Sequence, residues 1–257
     1  MVKTIHELDL KEACIQAARE VIAEQGLEGL SLRDVARKLG VSHQAPYRHY
    51  PSRNHLLAAI MQRCFEDFAD CLDQGAKHHD CDALRGMGEA YMQYAAQKPL
   101  EYRLMFGTPW PEPASHPELV RHAVHAFGLL RHHLLQQLRT AHNETSDTPA
   151  LLAQAELQAL FIWSSLHGLA SIMQANVMQH LVLSPEVPAL AQPFLMGMVH
   201  TALTHGPAQD PAPHLVLSPE VPALAQPFLM GMVHTALTHG PAQDPAPQVS
   251  PQDSHED

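Results

Sequence analysis

Apolar residues recur at steps of three and four along most of this 257-residue chain, and no stretch alternates apolar and polar residues long enough to make a half-buried strand. Leu10, Ala13, Cys14, Ala17, Ala18, Val21 and Ile22 form the stripe of an amphipathic helix, and Gly26 is a natural stop. Ser31 caps a second helix through Leu32, Val35, Ala36 and Leu39, and Gly40 turns the chain. Ser42 caps a third, short helix to about Tyr50, with Pro46 in its first turn or just past it, where a missing N–H costs little. Pro51 ends that helix. Ser52 caps a long fourth one that turns Leu56, Leu57, Ile60, Met61, Cys64, Phe65 and Phe68 inward. After a polar break at GAKHHD, helices are predicted over roughly 82–97, 99–106, 117–140 and 150–178, separated by Pro99, TPWPEPASHP and NETSDTP. The fold class that follows is all-α.

The segment HLVLSPEVPALAQPFLMGMVHTALTHGPAQDPAP at 180–213 recurs at 214–247 without a difference. A solenoid needs about three stacked repeats, and two fall short. Identity between the copies points to a recent in-frame tandem duplication or to an error in assembling the sequence. Each copy predicts one helix, ending at His205 or His239; one completes the core and the other is surplus. PAQDPAP and the terminal QVSPQDSHED have the composition of a disordered linker and tail.

The formal net charge of −11 is unevenly spread: residues 1–60 balance to +1, 61–179 to −5 and 180–257 to −7. Only 31–53 is distinctly positive, with Arg33, Arg37, Lys38, Arg48 and Arg53 against Asp34. An acidic chain is repelled by phosphate at long range, so any grip on nucleic acid must be local and face outward. The second and third helices, joined by LGVS, fit a helix-turn-helix, in which the second helix enters the major groove. The outward side of that helix carries His43, Gln44, Tyr47 and Arg48. His43 and Gln44 stand where base edges are read, and Gln pairs adenine bidentately. Tyr47, Arg33 and Arg53 suit phosphate contacts.

GLEGLSLRDVARKLGVSHQAPYRHYPSRNHLL closely resembles the DNA-binding domain of the tetracycline-repressor (TetR) family. Ser31, Arg33, Ala36, Gly40, Val41, Ser42, Tyr47 and His49 match its pattern, Tyr50 stands for the usual Phe and Arg53 for the usual Lys, and Pro46 departs from it. The resemblance covers about residues 8–68 and brings Ser31, Ser42 and His49 into the expected DNA-binding set. A second resemblance, over roughly 83–205, is to the branch named for its Trp-His-Gly motif, here Trp163, His167 and Gly168, in the segments YMQYAAQKPLEYRLMFG and FIWSSLHGLASIM. It implies a homodimer paired through its last two helices, and an internal pocket whose ligand alters the spacing of two reading heads. The organisation expected is 1–68 for the DNA-binding domain, with its motif at 31–50, and 69–205 for a regulatory and dimerisation domain reached through the long helix. Residues 206–257 hold the duplicated copy and a disordered acidic tail. The function implied is a ligand-responsive homodimeric repressor on a palindromic operator in double-stranded DNA, with no enzymatic role and no cofactor.

For the effector, small and apolar or amphipathic, the candidate wall is Met87, Tyr91, Tyr94, Met105, Phe106, Trp110, Phe127, Trp163 and His167, all of which also suit an ordinary core. Twenty histidines, with His122, His125, His132 and His133 on one predicted helix, raise the alternative of a metal-dependent enzyme or metal sensor, but no HExxH pattern is present. No metal or catalytic residue is assigned. Cys14, Cys64, Cys71 and Cys81 form no CxxC pair and are read as reduced packing thiols of a cytoplasmic protein; Cys64 and Cys71 also fit one helix face as a thiol sensor. MVKTIHELDLKE has no apolar core of a signal peptide, and no run approaches a membrane span.

Overall fold

A computed structural model describes residues 7–78 and 82–205. All of them belong to one compact unit, Met1–Val216; the second unit, Leu217–Asp257, the second copy of the repeat and Cys81 lie outside the described residues. Among the described residues there are helices and no strands, as the apolar spacing requires. None of these helices is long and apolar enough to cross a membrane.

α1 (Glu7–Gln25) buries Cys14, Ile15, Ala17, Ala18, Val21 and Ile22. It leads through a 3-10 turn, Leu27–Gly29, into α2 (Leu32–Leu39). Ser31 caps α2 by accepting from the Asp34 N–H at 3.1 Å, and Gly40 closes it in the left-handed region at φ 67°. Gly40 donates to the Ala36 and Arg37 carbonyls, and the Val41 N–H returns to Ala36 at 3.1 Å.

The third helix departs from expectation. Instead of a helix from Ser42 to Tyr50, the chain makes turns and then a 3-10 helix, Pro46–Arg48. Pro46 is the cause. An α-helix begun at Ser42 needs an N–H at position 46 to reach the Ser42 carbonyl, and proline has none. The Ser42 carbonyl accepts from Ala45 instead, one residue early, at 2.9 Å.

α3 (Arg53–His78) starts as its Ser52 cap predicts, with the His55 N–H on the Ser52 hydroxyl at 3.3 Å. It does not stop at GAKHHD but runs through Gly75 to His78, so the expected domain boundary at 68–69 falls inside it. Then follow α4 (Ala83–Gln97), α5 (Pro99–Phe106), α6 (Pro117–His142), α7 (Pro149–Gln174) and α8 (Val187–His205). α3 packs on α1 at one end and on α4, α5 and α6 along the rest. α8, the helix of the first repeat copy, lies on α7 and α4 and buries Val199. One continuous apolar core runs from Cys14 through α3 to Val199.

Gly75 is a contact, not a break. A Cβ there would stand 2.5 Å from the Gly86 carbonyl oxygen and 2.6 Å from the Ala90 Cβ, so α3 and α4 cross with their backbones touching. Helix propensity favours Ala over Gly by about 1 kcal/mol, but the obstructing atom is backbone and cannot swing aside. Gly75→Ala is therefore expected to destabilise the chain by a net 1–2 kcal/mol or so, read as a lower urea midpoint at unchanged slope.

Candidate nucleic-acid interface and effector cavity

The reading head is α1, α2 and the 3-10 helix, braced by polar bonds. Lys38 on α2 joins Glu20 and Glu24 on α1 at 3.2 and 2.7 Å. Arg63 of α3 reaches Glu12 at 3.0 Å and Arg19 reaches Asp67 at 3.6 Å, fastening α1 to α3. Tyr50 is buried and its hydroxyl donates to the Lys11 carbonyl at 3.0 Å, a bond that the phenylalanine it replaces in the family pattern would lack.

His43, Gln44, Tyr47 and Arg48, the four expected outward, are all exposed despite the change from α-helix to 3-10. Gln44 and His43 lie 3.2 Å apart through their side-chain nitrogens. Arg33 and Ser42 are exposed as well. The other three expected residues are committed inside the head. The Ser31 hydroxyl serves the α2 cap and bonds the Asp34 carboxylate. Arg53 donates to the Leu30 carbonyl at 3.1 Å and the Leu27 carbonyl at 2.8 Å, holding the turn before α2. His49 is half-buried, its Nε2 enclosed without a hydrogen-bond partner.

In the regulatory half, the aromatic stripe packs mostly on itself. Met87, Tyr91, Tyr94 and Met105 are buried, and Phe106, Trp110, Phe127 and Trp163 half-buried. Phe68 meets Tyr91, Tyr94 and Phe106 edge-on at 5.3, 5.1 and 5.9 Å; Phe65 meets Trp110 at 5.4 Å, and Phe127 lies 5.7 Å from Trp163. Of the nine expected wall residues, Phe106 and His167 line a cavity of about 840 Å³ bounded by α4, α5, α7 and Ala23 of α1. Sequence reasoning missed Tyr102, Arg103, Gln174 and Gln192 there. A wider groove of about 1700 Å³ between α4, α6, α7 and α8 contains none of the nine, and its charged rim is largely paired: Lys77 with Asp73, Arg85 with Glu89, and His200 with Asp82.

His167 joins a buried polar chain. Its Nδ1 lies 2.7 Å from the Tyr102 hydroxyl, which lies 2.8 Å from that of Tyr91. Burial holds the imidazole below its ordinary pKa and both phenols above theirs, so all three are neutral at pH 7. Cys64 is likewise a packing thiol: burial pushes it up to about 12, and Cys71 is raised in the same way. Among the described residues no three His, Cys, Asp or Glu side chains gather to hold a metal ion; His125 and His132 are exposed, and His122 turns to Glu66 at 3.2 Å.

A helical reading head fastened by one long helix to an all-helical body is the architecture of a helix-turn-helix regulator. Residues 15–60 match the description "Bacterial regulatory proteins, tetR family", and residues 84–192 match "Tetracyclin repressor-like, C-terminal domain". The chain belongs to the tetR family of bacterial regulatory proteins. It is 30% identical over 101 residues to the HTH-type transcriptional regulator Rv1816 of Mycobacterium tuberculosis, across 38% of this chain and 43% of that protein. It is 29% identical over 93 residues to the class D tetracycline repressor of Escherichia coli, across 36% and 38%. These matches thus span less than half of each curated relative. The solved structure of protein SCO4313 superposes with a TM-score of 0.61 at 25% identity, over 77% of this chain and 98% of the other. The finer resemblance, to the Trp-His-Gly branch, rests on the segments YMQYAAQKPLEYRLMFG and FIWSSLHGLASIM, with Trp163, His167 and Gly168, and neither matching description names that branch.

The histidines give the fold a pH dependence of definite sign. His167 is lowered by burial, His116 by burial and His55, and His133 by burial and His132. In the unfolded chain they take up protons first as pH falls through about 6.5. Stability present above that value is then lost progressively toward the lower folded values. Urea midpoints are expected to fall between about pH 7.5 and about pH 5.5, and His167→Gln to flatten the slope; a midpoint that rises on acidification would contradict this.

Proposed function

We propose that the chain is a transcriptional repressor that binds a palindromic operator as a homodimer and is released by a small apolar or amphipathic effector. In this reading it acts in the cytoplasm, where Cys14 and Cys64 stay reduced, and does no chemistry on its effector. The observation that carries it is the state of the cations on the head. Arg33 and Arg48 are exposed and carry no side-chain hydrogen bond or ion pair among the described residues, whereas Arg37, Lys38 and Arg63 are all paired. In a chain of net charge −11, two uncommitted guanidiniums beside an exposed Tyr47 make a local grip for phosphate. Gln44 and His43 supply base contacts, and Arg53 supports the grip from behind by fixing the turn before α2.

Dimerisation is supported by an apolar face left open on α7 and α8. Leu157, Phe161 and Ile172 on α7, and Leu190, Phe194 and Met198 on α8, are each at least 40% exposed. Gly168 and Gly197 lie on the same two faces at helical spacing, and a Cβ at either would meet nothing within 4 Å. Small residues amid large apolar ones let a second pair of helices approach closely. The two heads would then stand about 34–36 Å apart, or a multiple, one helical turn of DNA per step.

Selection of bound fragments from randomised duplex DNA at physiological salt is expected to return a palindromic consensus. Absence of enrichment over non-specific background would refute the operator reading. Gln44→Ala should weaken binding to that consensus more than to random duplex; equal loss on both would remove its role in specificity. Independently, Phe161→Glu combined with Phe194→Glu is expected to halve the mass seen by light scattering while leaving helical content intact.

A further inference from the structure

We propose that the 840 Å³ cavity binds an amphipathic organic acid, its carboxylate held between Arg103 and His167 and its apolar part lying along Leu100, Phe106 and Met173 against Ala23 of α1. This deepens the regulator reading and rests on it. Two observations converge. First, Arg103 stands out among the arginines. Those at positions 19, 37, 63, 85, 121, 131 and 139 have carboxylate partners, and Arg53 bonds backbone carbonyls. Among the described residues only Arg33, Arg48 and Arg103 carry neither a side-chain hydrogen bond nor an ion pair. The first two are on the head and the third lines this cavity.

Second, a polar chain stands behind the cavity. The Tyr91 and Tyr102 hydroxyls lie 2.8 Å apart, and they reach Nδ1 of His167 at 3.4 and 2.7 Å respectively. In the tautomer whose Nδ1 accepts from Tyr102, the neutral imidazole carries its proton on Nε2, which has no hydrogen bond among the described residues. The cavity thus offers the Arg103 guanidinium, the His167 imidazole and the neutral side chains of Ser171, Gln174, Asn176 and Gln192, with no carboxylate on its wall. That set suits a monoanion with two acceptor oxygens and leaves a dianion under-neutralised. The small residues Ala95, Ala96, Ala170 and Ala175 leave the room, and the volume is within the usual range of roughly 300–1,000 Å³ for ligand sites. In the wider groove the cations Lys77 and Arg85 are paired with carboxylates, and His200 lies 3.6 Å from Asp82. Because Ala23 belongs to the reading head, an occupant touches α1, α4, α5 and α7 at once, and occupancy bears directly on where the head stands.

The test titrates decanoate, decanol and decyltrimethylammonium into the full chain and follows binding by calorimetry. Decanoate is expected to bind at least about tenfold more tightly than the alcohol, the size of one charge-assisted bond, and the cation most weakly. Arg103→Gln, an exposed position where folding is checked by circular dichroism, should bring decanoate down to the decanol level. Equal binding of acid and alcohol, no binding of decanoate, or a preference that survives Arg103→Gln would each overturn the proposal. Retention on the selected operator is measured alongside. Acid binding that depends on Arg103 but leaves DNA retention unchanged would uphold the site while sinking the regulator reading.

Discussion

The structure depends on one long helix having its apolar face covered from end to end. α3 carries Leu56, Leu57, Ile60, Met61, Cys64, Phe65, Phe68 and Leu72 on one stripe, every one buried. Each large side chain hidden this way contributes about 1.5–3 kcal/mol relative to exposure, so leaving either half of the stripe uncovered would cost about 6–12 kcal/mol, as much as a typical domain's whole stability. α1 covers the first turns and α4, α5 and α6 the rest, so head and body share a core.

The same burial decides which polar groups are available to a ligand. Tyr91, Tyr102 and His167 are withdrawn from water, and each answers to the next because an unpartnered buried hydroxyl or imidazole is costly. The other ring nitrogen of His167, Nε2, makes no hydrogen bond among the described residues. On the head the logic is reversed. Ion pairs tie down Lys38, Arg63 and Arg19 for structure, and the guanidiniums of Arg33 and Arg48 remain in water.

The reading head also shows how one residue reshapes a motif without emptying it. Pro46 removes the hydrogen bond that would begin an α-helix at Ser42, and the segment tightens to 3-10 geometry. His43, Gln44, Tyr47 and Arg48 nevertheless stay exposed, the first two in the turns before the 3-10 helix and the last two on it. His49 and Arg53 turn inward where the family pattern suggested DNA, since His49 is half-buried and the Leu27 and Leu30 carbonyls need donors that Arg53 supplies.

The apolar period, the capping serines and the prolines determined by themselves that this chain is helical, where most helices begin, and that positive charge gathers on one short motif. These are local properties, written within a few residues of each other. Gly75 was illegible because a glycine amid polar residues reads as a stop, and only the crossing of α4 reveals that its missing side chain is needed there. The cavity was illegible for a related reason. Tyr91, Tyr94 and Met105 drew attention by their bulk, and bulk fills space; the room lies among alanines, brought together from α1, α4 and α7 by tertiary packing alone. Which cations face solvent and which are spent on carboxylates was decided by the same packing.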